Sequence, residues 1–163
     1  MDIRIRPLEI KDAETSVAWR NDPQVFKYTG NTYNHIITLE SELNWIRRVI
    51  QTPNDYRCAI LVDGIYVGNV YLTDIENGRA HYHIFIGDRR YWGKGVARSA
   101  SVQIIQYGFE VLKLDVIQLK VNNANVRAKN LYTSLGFVAI NEEDCWVTME
   151  IRSDNANNER IQI

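Results

Sequence analysis

The chain has 163 residues, 45% of them hydrophobic, which suits one domain with its own core and excludes two domains of ordinary size. Its 19 lysines and arginines against 20 aspartates and glutamates exclude an overall basic surface for nucleic acid or an anionic membrane. No apolar run approaches the roughly 20 residues that span a bilayer, and the first residues form no signal-peptide core, so we expect a cytoplasmic protein.

The first third of the chain predicts one strand and two helices. Apolar and charged residues alternate from Ile3 to Arg6, the period of a half-buried strand. Helical patterns follow over Asp12 to Arg20 and over Leu39 to Ile50, and Pro53 lies just beyond the second helix as a stop signal.

Three antiparallel strands are predicted next. Two apolar runs, Tyr56 to Val62 and Ile65 to Thr73, are separated only by Asp63-Gly64, a typical two-residue hairpin turn. A second turn at Glu76-Asn77-Gly78 leads into the strand His81 to Ile86. Sequential strands with such short turns predict an antiparallel sheet.

The remaining pattern returns to alternating helices and strands. A helix is predicted over Val96 to Leu112, a strand over Val116 to Val121 and a short helix over Asn125 to Leu135. Terminal strands are expected near Val138 and from Trp146 to Ile151. The whole order predicts an α+β fold.

The C-terminus and the cysteines add two further expectations. Residues 1–152 are predicted to form the domain, and the asparagine-rich residues 153–163 a loosely attached polar tail. Cys58 and Cys145 lie in strand-like segments and lack the spacing of a metal or redox pair. We therefore expect two small buried thiols and no metal site.

A glycine-containing turn connects the strand ending at Ile86 to the helix beginning at Val96: Arg90-Tyr91-Trp92-Gly93-Lys94-Gly95-Val96-Ala97. Glycine adopts positive φ and lets a ligand approach the main chain, so the first free N–H groups of the helix can point at one phosphate. The turn thus indicates a phosphate-bearing ligand. A glycine turn that only changes the chain direction is the alternative.

A second segment makes the interpretation far more specific: Asn125-Val126-Arg127-Ala128-Lys129-Asn130-Leu131-Tyr132-Thr133-Ser134-Leu135-Gly136-Phe137. Together the two segments resemble the GCN5-related N-acetyltransferase (GNAT) family. Its signature pairs a pyrophosphate loop, Gln/Arg-x-x-Gly-x-Gly/Ala, with a later Asn-x-x-Ala-x-x-Leu-Tyr-x-x-Leu-Gly-Phe segment. The later segment matches at every specified position. In the loop Gly95 and Ala97 match, whereas Trp92 replaces Gln or Arg, as in the branch containing ribosomal-protein N-terminal acetyltransferases.

The resemblance spans roughly Ile3 to Ile151 and implies a mixed, mostly antiparallel sheet flanked by helices. The sheet is expected to splay between the strand His81 to Ile86 and the strand Val116 to Val121. It implies acetyl-coenzyme A as cofactor, with pantetheine bound to the main chain around Phe85 and Ile86. Asn125 would hold the pantetheine arm or cap its helix. The pyrophosphate would bind the turn, at Arg90, Trp92, Gly93, Lys94, Gly95, Val96 and Ala97.

The resemblance also implies catalytic roles. Tyr132 would contact the cofactor and give a proton to the departing thiolate, the alternative being a packed helix aromatic. His81 falls where many relatives carry a glutamate and would accept the proton of the amine, although water can replace a dedicated base. His83 shares its strand face and is predicted to contact the acceptor. Direct transfer, without a covalent enzyme intermediate, is expected.

The acceptor is expected opposite the cofactor. Trp19-Arg20-Asn21-Asp22-Pro23, Tyr28 and Asn44-Trp45-Ile46 resemble acetyltransferases that act on 4-amino sugars of nucleotide-linked precursors. We predict Trp19, Arg20, Asn21 and Tyr28 as acceptor-binding residues, because Arg suits a diphosphate and Trp a ring face. Helix capping with a core tryptophan is the alternative.

Several alternatives remain open from the sequence alone. A peptide N-terminus or a polyamine could replace the amino sugar as acceptor. A non-catalytic acyl-coenzyme A-binding module is the alternative of another class. A monomer or a homodimer fits a chain of this length.

Overall fold

The computed structural model describes residues 1–28 and 36–154, which form one seven-stranded sheet with helices on both faces. The strands are β1 (Ile3–Pro7), β2 (Tyr56–Val62), β3 (Ile65–Glu76), β4 (Arg79–Ile86), β5 (Val116–Asn122), β6 (Val138–Glu143) and β7 (Trp146–Arg152). The α-helices are α1 (Ala13–Arg20), α2 (Leu39–Val49), α3 (Val96–Glu110) and α4 (Val126–Leu135). Two short 3-10 helices cover Ile10–Asp12 and Arg89–Tyr91.

The strand order β1-β2-β3-β4-β5-β7-β6 is antiparallel throughout except between β4 and β5. These two parallel strands pair only where Arg79 to His81 lie beside Val116 to Gln118. Beyond His81 they separate, and a gap opens in the middle of the sheet. The predicted mixed, mostly antiparallel, splayed sheet is confirmed.

The hairpins form for the reason that the sequence indicates. Asp63 (φ 51°) and Gly64 (φ 83°) both adopt left-handed conformations, the requirement of a type I′ turn between two twisted strands. The turn at Asn77 has the same character. β3 runs on to Glu76 rather than ending at Thr73, with an irregular register after Thr73. The hairpin predictions therefore hold, with a longer middle strand.

The main core lies between the sheet and helices α3 and α4. Ala100, Ile104 and Gly108 of α3 are buried against it. A Cβ on Gly108 would lie 3.1 Å from the Leu72 side chain, so only glycine allows α3 to approach the sheet this closely. This packing fixes the N-terminus of α3 at the gap between β4 and β5.

A smaller core lies on the opposite face, under α1 and α2, and it contains Leu8, Ala13, Ile46, Val49 and Ala59. The helix predicted over Leu39 to Ile50 forms, but its two terminal apolar residues, Leu39 and Ile50, are exposed and do not join this core. Glu42 is instead 1% exposed. Its carboxylate lies 3.3 Å from Nε of Arg20 and accepts a hydrogen bond from Ser16 at 3.1 Å. Burial raises the pKa of Glu42, and the Arg20 charge opposes that rise.

Two other expectations have different outcomes. Cys58 is buried, which raises the pKa of its thiol to about 11, whereas Cys145 is exposed at the turn between β6 and β7. The prediction for Cys145 is therefore wrong. Most of the predicted tail, residues 155–163, lies outside the described residues. Within the described ranges, every helix is too short or too polar to cross a membrane.

Candidate active site

A cleft of about 1600 Å³ follows the gap between β4 and β5. Along β4, Ala80 and Tyr82 are buried on the α3 side, and the alternating His81 and His83 face α1 and α2. Because no ladder joins β4 to β5 beyond His81, the gap connects the two faces of the sheet. Groups from opposite faces can therefore reach one substrate inside it.

The turn before α3 forms one end of the cleft, where Trp92, Gly93, Gly95, Val96 and Ala97 line it. Gly93 (φ 74°) and Gly95 (φ 79°) are both left-handed, and Gly95 is the N-cap residue without a side-chain cap. The first N–H groups of α3 therefore remain for a ligand at the positive end of the helix dipole. This geometry suits the predicted pyrophosphate.

The two basic residues predicted for this turn do not line the cleft. The Arg90 guanidinium is fully exposed and pairs with Asp88 at 2.6 Å, which lowers the pKa of that carboxyl. Nζ of Lys94 lies 5.7 Å from the centre of the Tyr91 ring. Arg90 and Lys94 have long side chains that lie along the surface. Their positions in the sequence therefore did not predict where their charged groups would be.

Near the turn, the positive charge that lines the cleft comes instead from Arg98 and Arg127. A Cβ on Gly93 would lie 2.7 Å from Nη2 of Arg127, so this guanidinium lies directly over the glycine turn. Arg98 is oriented by a 2.7 Å hydrogen bond to Ser134. Sequence reasoning missed both residues, although Arg127 is inside the second motif, at one of its unspecified positions.

Main-chain groups of β4 form the edge of the gap. The N–H of Gly87 donates to Val67 of β3 at 2.8 Å. Since these groups alternate sides along a strand, those of Phe85 also face β3, while those of Ile84 and Ile86 face the gap. The expected pantetheine edge is therefore Ile84 and Ile86, and Phe85 contributes its side chain to the cleft instead.

Trp92 has a defined role at this edge. Its indole N–H donates to the Ile86 carbonyl at 2.8 Å, and its side chain is 38% exposed in the cleft wall. The tryptophan thus ties the end of β4 to the turn. A carbonyl oxygen can accept a second hydrogen bond, so Ile86 remains available to a ligand.

Tyr132 reaches the cleft from α4 on the α3 side of the sheet. Its ring packs edge-on to Tyr82, with 5.7 Å between ring centres, and burial raises its pKa to about 12. No group in the described part of the chain hydrogen-bonds its hydroxyl. Asn125 also lines the cleft, and its side chain accepts from the Ala128 N–H at 3.3 Å as an N-cap.

Both histidines of β4 line the cleft. Nε2 of His83 lies 3.0 Å from Oγ1 of Thr73. Although the ring is open to the cleft, the surrounding walls desolvate it, and together with the Arg57 charge this lowers its pKa. His81 is exposed on the same face, one pleat away.

The predicted acceptor residues divide into two groups. Arg20 and Tyr28 line the cleft, as does His83. Trp19 is 8% exposed and packs on Tyr66, with 4.7 Å between ring centres. The side-chain amide of Asn21 donates to the Ile37 carbonyl at 2.9 Å and accepts from the Ile37 N–H at 2.7 Å. Asn21 does not line the cleft. These two positions match the alternative interpretation, a core tryptophan and a residue that fixes the chain after α1.

Other side chains line the part of the cleft beside α1 and α2, the predicted acceptor half, where Trp19 was expected. Trp45 of α2 lines the cleft with Arg57 and Tyr71. The guanidinium of Arg20 lies 4.7 Å from the centre of the Trp45 ring. An arginine inside the otherwise apolar strand β2 was the available sequence signal for Arg57.

Comparisons with known proteins agree with this geometry. The model of the acetyltransferase (GNAT) domain matches residues 2–138. The uncharacterized N-acetyltransferase p20 of Bacillus licheniformis is 33% identical over 146 residues, which cover 83% of this chain and 78% of that protein. The spermidine N(1)-acetyltransferase of Escherichia coli is 30% identical over 138 residues, 83% of this chain and 72% of that protein.

One solved structure extends the likeness to the whole fold. The spermidine N-acetyltransferase from Vibrio cholerae, in complex with CoA and spermine, superposes with a TM-score of 0.85 at 22% identity. The match covers 96% of this chain and 98% of that one. At this identity the likeness concerns the fold.

Proposed function

This chain belongs to the GNAT acetyltransferase family, and we propose that the amine it acetylates is carried by a nucleotide-linked amino sugar. The protein is an acetyl-coenzyme A-dependent N-acetyltransferase. Acetyl-coenzyme A supplies the activated acetyl thioester, and the residues of the cleft fit its parts. Main-chain groups of Ile84 and Ile86 suit the pantetheine amides, and the glycine turn with Arg98 and Arg127 suits the phosphates.

In the proposed mechanism, Tyr132 donates its phenolic proton to the departing sulfur. A pKa of about 12 keeps the phenol protonated at neutral pH, so its proton is available to the sulfur as the carbon–sulfur bond breaks. The absence of a described hydrogen-bond partner leaves this hydroxyl available to the cofactor. Tyr132 approaches the gap from the α3 side of the sheet, and the acceptor is proposed to approach from the opposite side.

His81 is proposed to accept the proton that the amine loses. It lies on the acceptor face of β4, and its side chain is exposed in the cleft. His83 suits this role less, because Thr73 already engages its Nε2 atom. His83 is assigned to the acceptor wall instead. Proton removal by water is the competing mechanism.

The observation that carries the acceptor assignment is the contact between Arg20 and Trp45. The guanidinium lies 4.7 Å from the indole centre and 5.6 Å from that of the Phe26 ring, and all three side chains line the cleft. A cation held against aromatic faces suits the diphosphate and the flat base of a nucleotide.

A polyamine is the second candidate, favoured by the relative named a spermidine acetyltransferase. Polycations require uncompensated carboxylates. Among the described residues of the acceptor half, Asp55 and Asp74 are the acidic residues that line the cleft, and Asp55 is paired with Arg57 at 3.0 Å. Arg20 is likewise paired with Glu42 at 3.3 Å, so the amino sugar is favoured by the aromatic faces beside Arg20 and because Asp74 alone is fewer carboxylates than a polycation needs.

A thiol-release assay with acetyl-coenzyme A tests the proposal. The acceptor panel contains UDP- and TDP-linked amino sugars, the matching free amino sugars, N-terminal peptides and spermidine. We expect turnover with a nucleotide-linked sugar and a raised KM for that acceptor in Arg20→Met, with little change in the KM of acetyl-coenzyme A. Turnover confined to spermidine or peptides would overturn the acceptor assignment.

A further inference from the structure

Three side chains form a row across the acceptor face of the sheet. In the strand register Arg57 of β2 lies opposite Tyr71 of β3, and Tyr71 lies opposite His83 of β4. Directly opposed residues project on the same face, and all three line the cleft. The row therefore runs from β2 across β3 to His83 of β4, next to the gap.

Tyr71 stands out in this row because its hydroxyl is buried without a partner. The residue is 6% exposed, and in the described part of the chain no group lies in hydrogen-bonding geometry to its oxygen. Burial raises the pKa of this phenol well above its usual value, so it is a donor at neutral pH. A buried donor without an acceptor costs free energy, and a ligand oxygen would remove that cost.

Arg57 lies over the Tyr71 ring, and both a carboxylate and aromatic rings hold its guanidinium. Nε and Nη2 donate to Oδ2 of Asp55 at 3.2 and 3.0 Å. The guanidinium carbon lies 4.5 Å from the centre of the Tyr71 ring and 5.5 Å from that of Trp45.

The remaining nitrogen of this guanidinium is not engaged by the described chain. Asp55 is itself held, because its Oδ1 accepts from the Asp74 N–H at 3.1 Å. Nη1 of Arg57 has no hydrogen-bond acceptor among residues 1–28 and 36–154. The cleft thus holds an oriented cation with two N–H groups to donate.

We propose that Nη1 of Arg57 and the hydroxyl of Tyr71 together bind an oxyanion of the acceptor, a phosphoryl or carboxylate group placed away from its amine. This inference rests on the proposed function in assigning this half of the cleft to the acceptor. Binding at the outer end of the row directs the rest of the acceptor along His83 toward the gap. Arg57 and Tyr71 are then specificity residues, which select acceptors by an acidic group.

The test measures the binding of UDP and, separately, of succinate to the CoA-saturated protein by isothermal titration calorimetry. Saturation with CoA occupies the phosphate site at the glycine turn. Arg57→Gln should weaken binding of the anion about 10- to 100-fold, the range of a charge-assisted hydrogen bond, and Tyr71→Phe about 3- to 10-fold. Arg48→Gln, an exposed arginine of α2 outside the cleft, is the matched control and should leave binding unchanged.

Tyr71→Phe separates recognition from structure. It keeps the ring under Arg57 and removes only the unpartnered hydroxyl, so the melting temperature should stay unchanged or rise while anion affinity falls. UDP binding weakened in both variants by these factors would support the inference together with the amino-sugar proposal. Binding of succinate alone, lost in both variants, would support the oxyanion site and contradict the nucleotide. Equal anion binding by wild type and Arg57→Gln, or no binding of either anion, would overturn the inference.

Discussion

The indole of Trp19 lies against the α-carbon of Gly87, in the space where any larger residue would place its Cβ. Gly87 directly follows β4 and precedes the 3-10 helix that leads into the glycine turn. Trp19 also meets Phe85 edge-on, with 6.3 Å between ring centres. This contact joins α1 to the end of β4, the proposed cofactor edge, so the tryptophan positions the cleft without lining it.

Gly87→Ala should therefore destabilise the fold. The added methyl overlaps the Trp19 ring, and overpacking of this kind costs about 1–3 kcal/mol. The free energy of unfolding from urea titration measures the loss. The double variant Gly87→Ala, Trp19→Leu should recover part of it, because the smaller side chain vacates the contested space. If the loss of unfolding free energy in the double variant equals the sum of the losses in the two single variants, the contact between Trp19 and Gly87 is contradicted.

Tyr132→Phe tests the proton donor. Turnover should fall on the order of 10²-fold, the usual size of an acid–base contribution, while CoA affinity stays within a few-fold. Thiol release and CoA titration measure the two quantities. Tyr107→Phe, a tyrosine of α3 that stacks on Tyr56 outside the cleft, is the control. Unchanged turnover in Tyr132→Phe would make this residue structural.

Arg127→Gln tests the proposed phosphate contact of this side chain. The KM of acetyl-coenzyme A should rise about tenfold with kcat largely retained, since a charge-assisted bond to the cofactor is lost in ground state and transition state alike. Arg90→Gln is the control, because Arg90 pairs with Asp88 away from the cleft. A larger effect in Arg90→Gln than in Arg127→Gln would return the contact to the residue that the sequence suggested.

His83 makes stability depend on pH in a predictable direction. Its folded pKa is lowered from the usual value near 6.5, mainly by desolvation, so the unfolded chain takes up this proton at higher pH than the folded chain. The lowered pKa of His83 therefore does not change the unfolding free energy above about pH 6.5, and it reduces that free energy progressively as the pH falls below this value. Between pH 8 and pH 5, wild type should lose more unfolding free energy than His83→Gln. An equal loss in both proteins would contradict the lowered pKa.

The sequence predicted the fold well because its signals are local. Turns such as Asp63-Gly64 require particular backbone angles, and the Asn125 cap with the left-handed Gly136 marks both ends of α4. Strand alternation then determines which residues face a helix layer. These constraints act over a few residues and are readable in one chain.

The cleft was predictable only in part because its walls come from distant segments. Glycine positions follow from backbone geometry, so the sequence predicted a left-handed glycine turn where the structure has one, at the end of the cleft. Charged side chains such as Arg90 and Arg127 take their positions from partners elsewhere in the chain, and these partners are invisible to motif spacing. Arg57 lines the cleft because the register sets it beside Tyr71, a tertiary relation.

The most direct test of the account is a competition for the acetyl group. Equimolar UDP-linked 4-amino sugar and spermidine are incubated with the protein and limiting acetyl-coenzyme A, and mass spectrometry identifies the acetylated product. We expect acetyl on the amino sugar, with this preference reduced in Arg20→Met. Acetyl on spermidine alone would contradict the assignment of the acceptor.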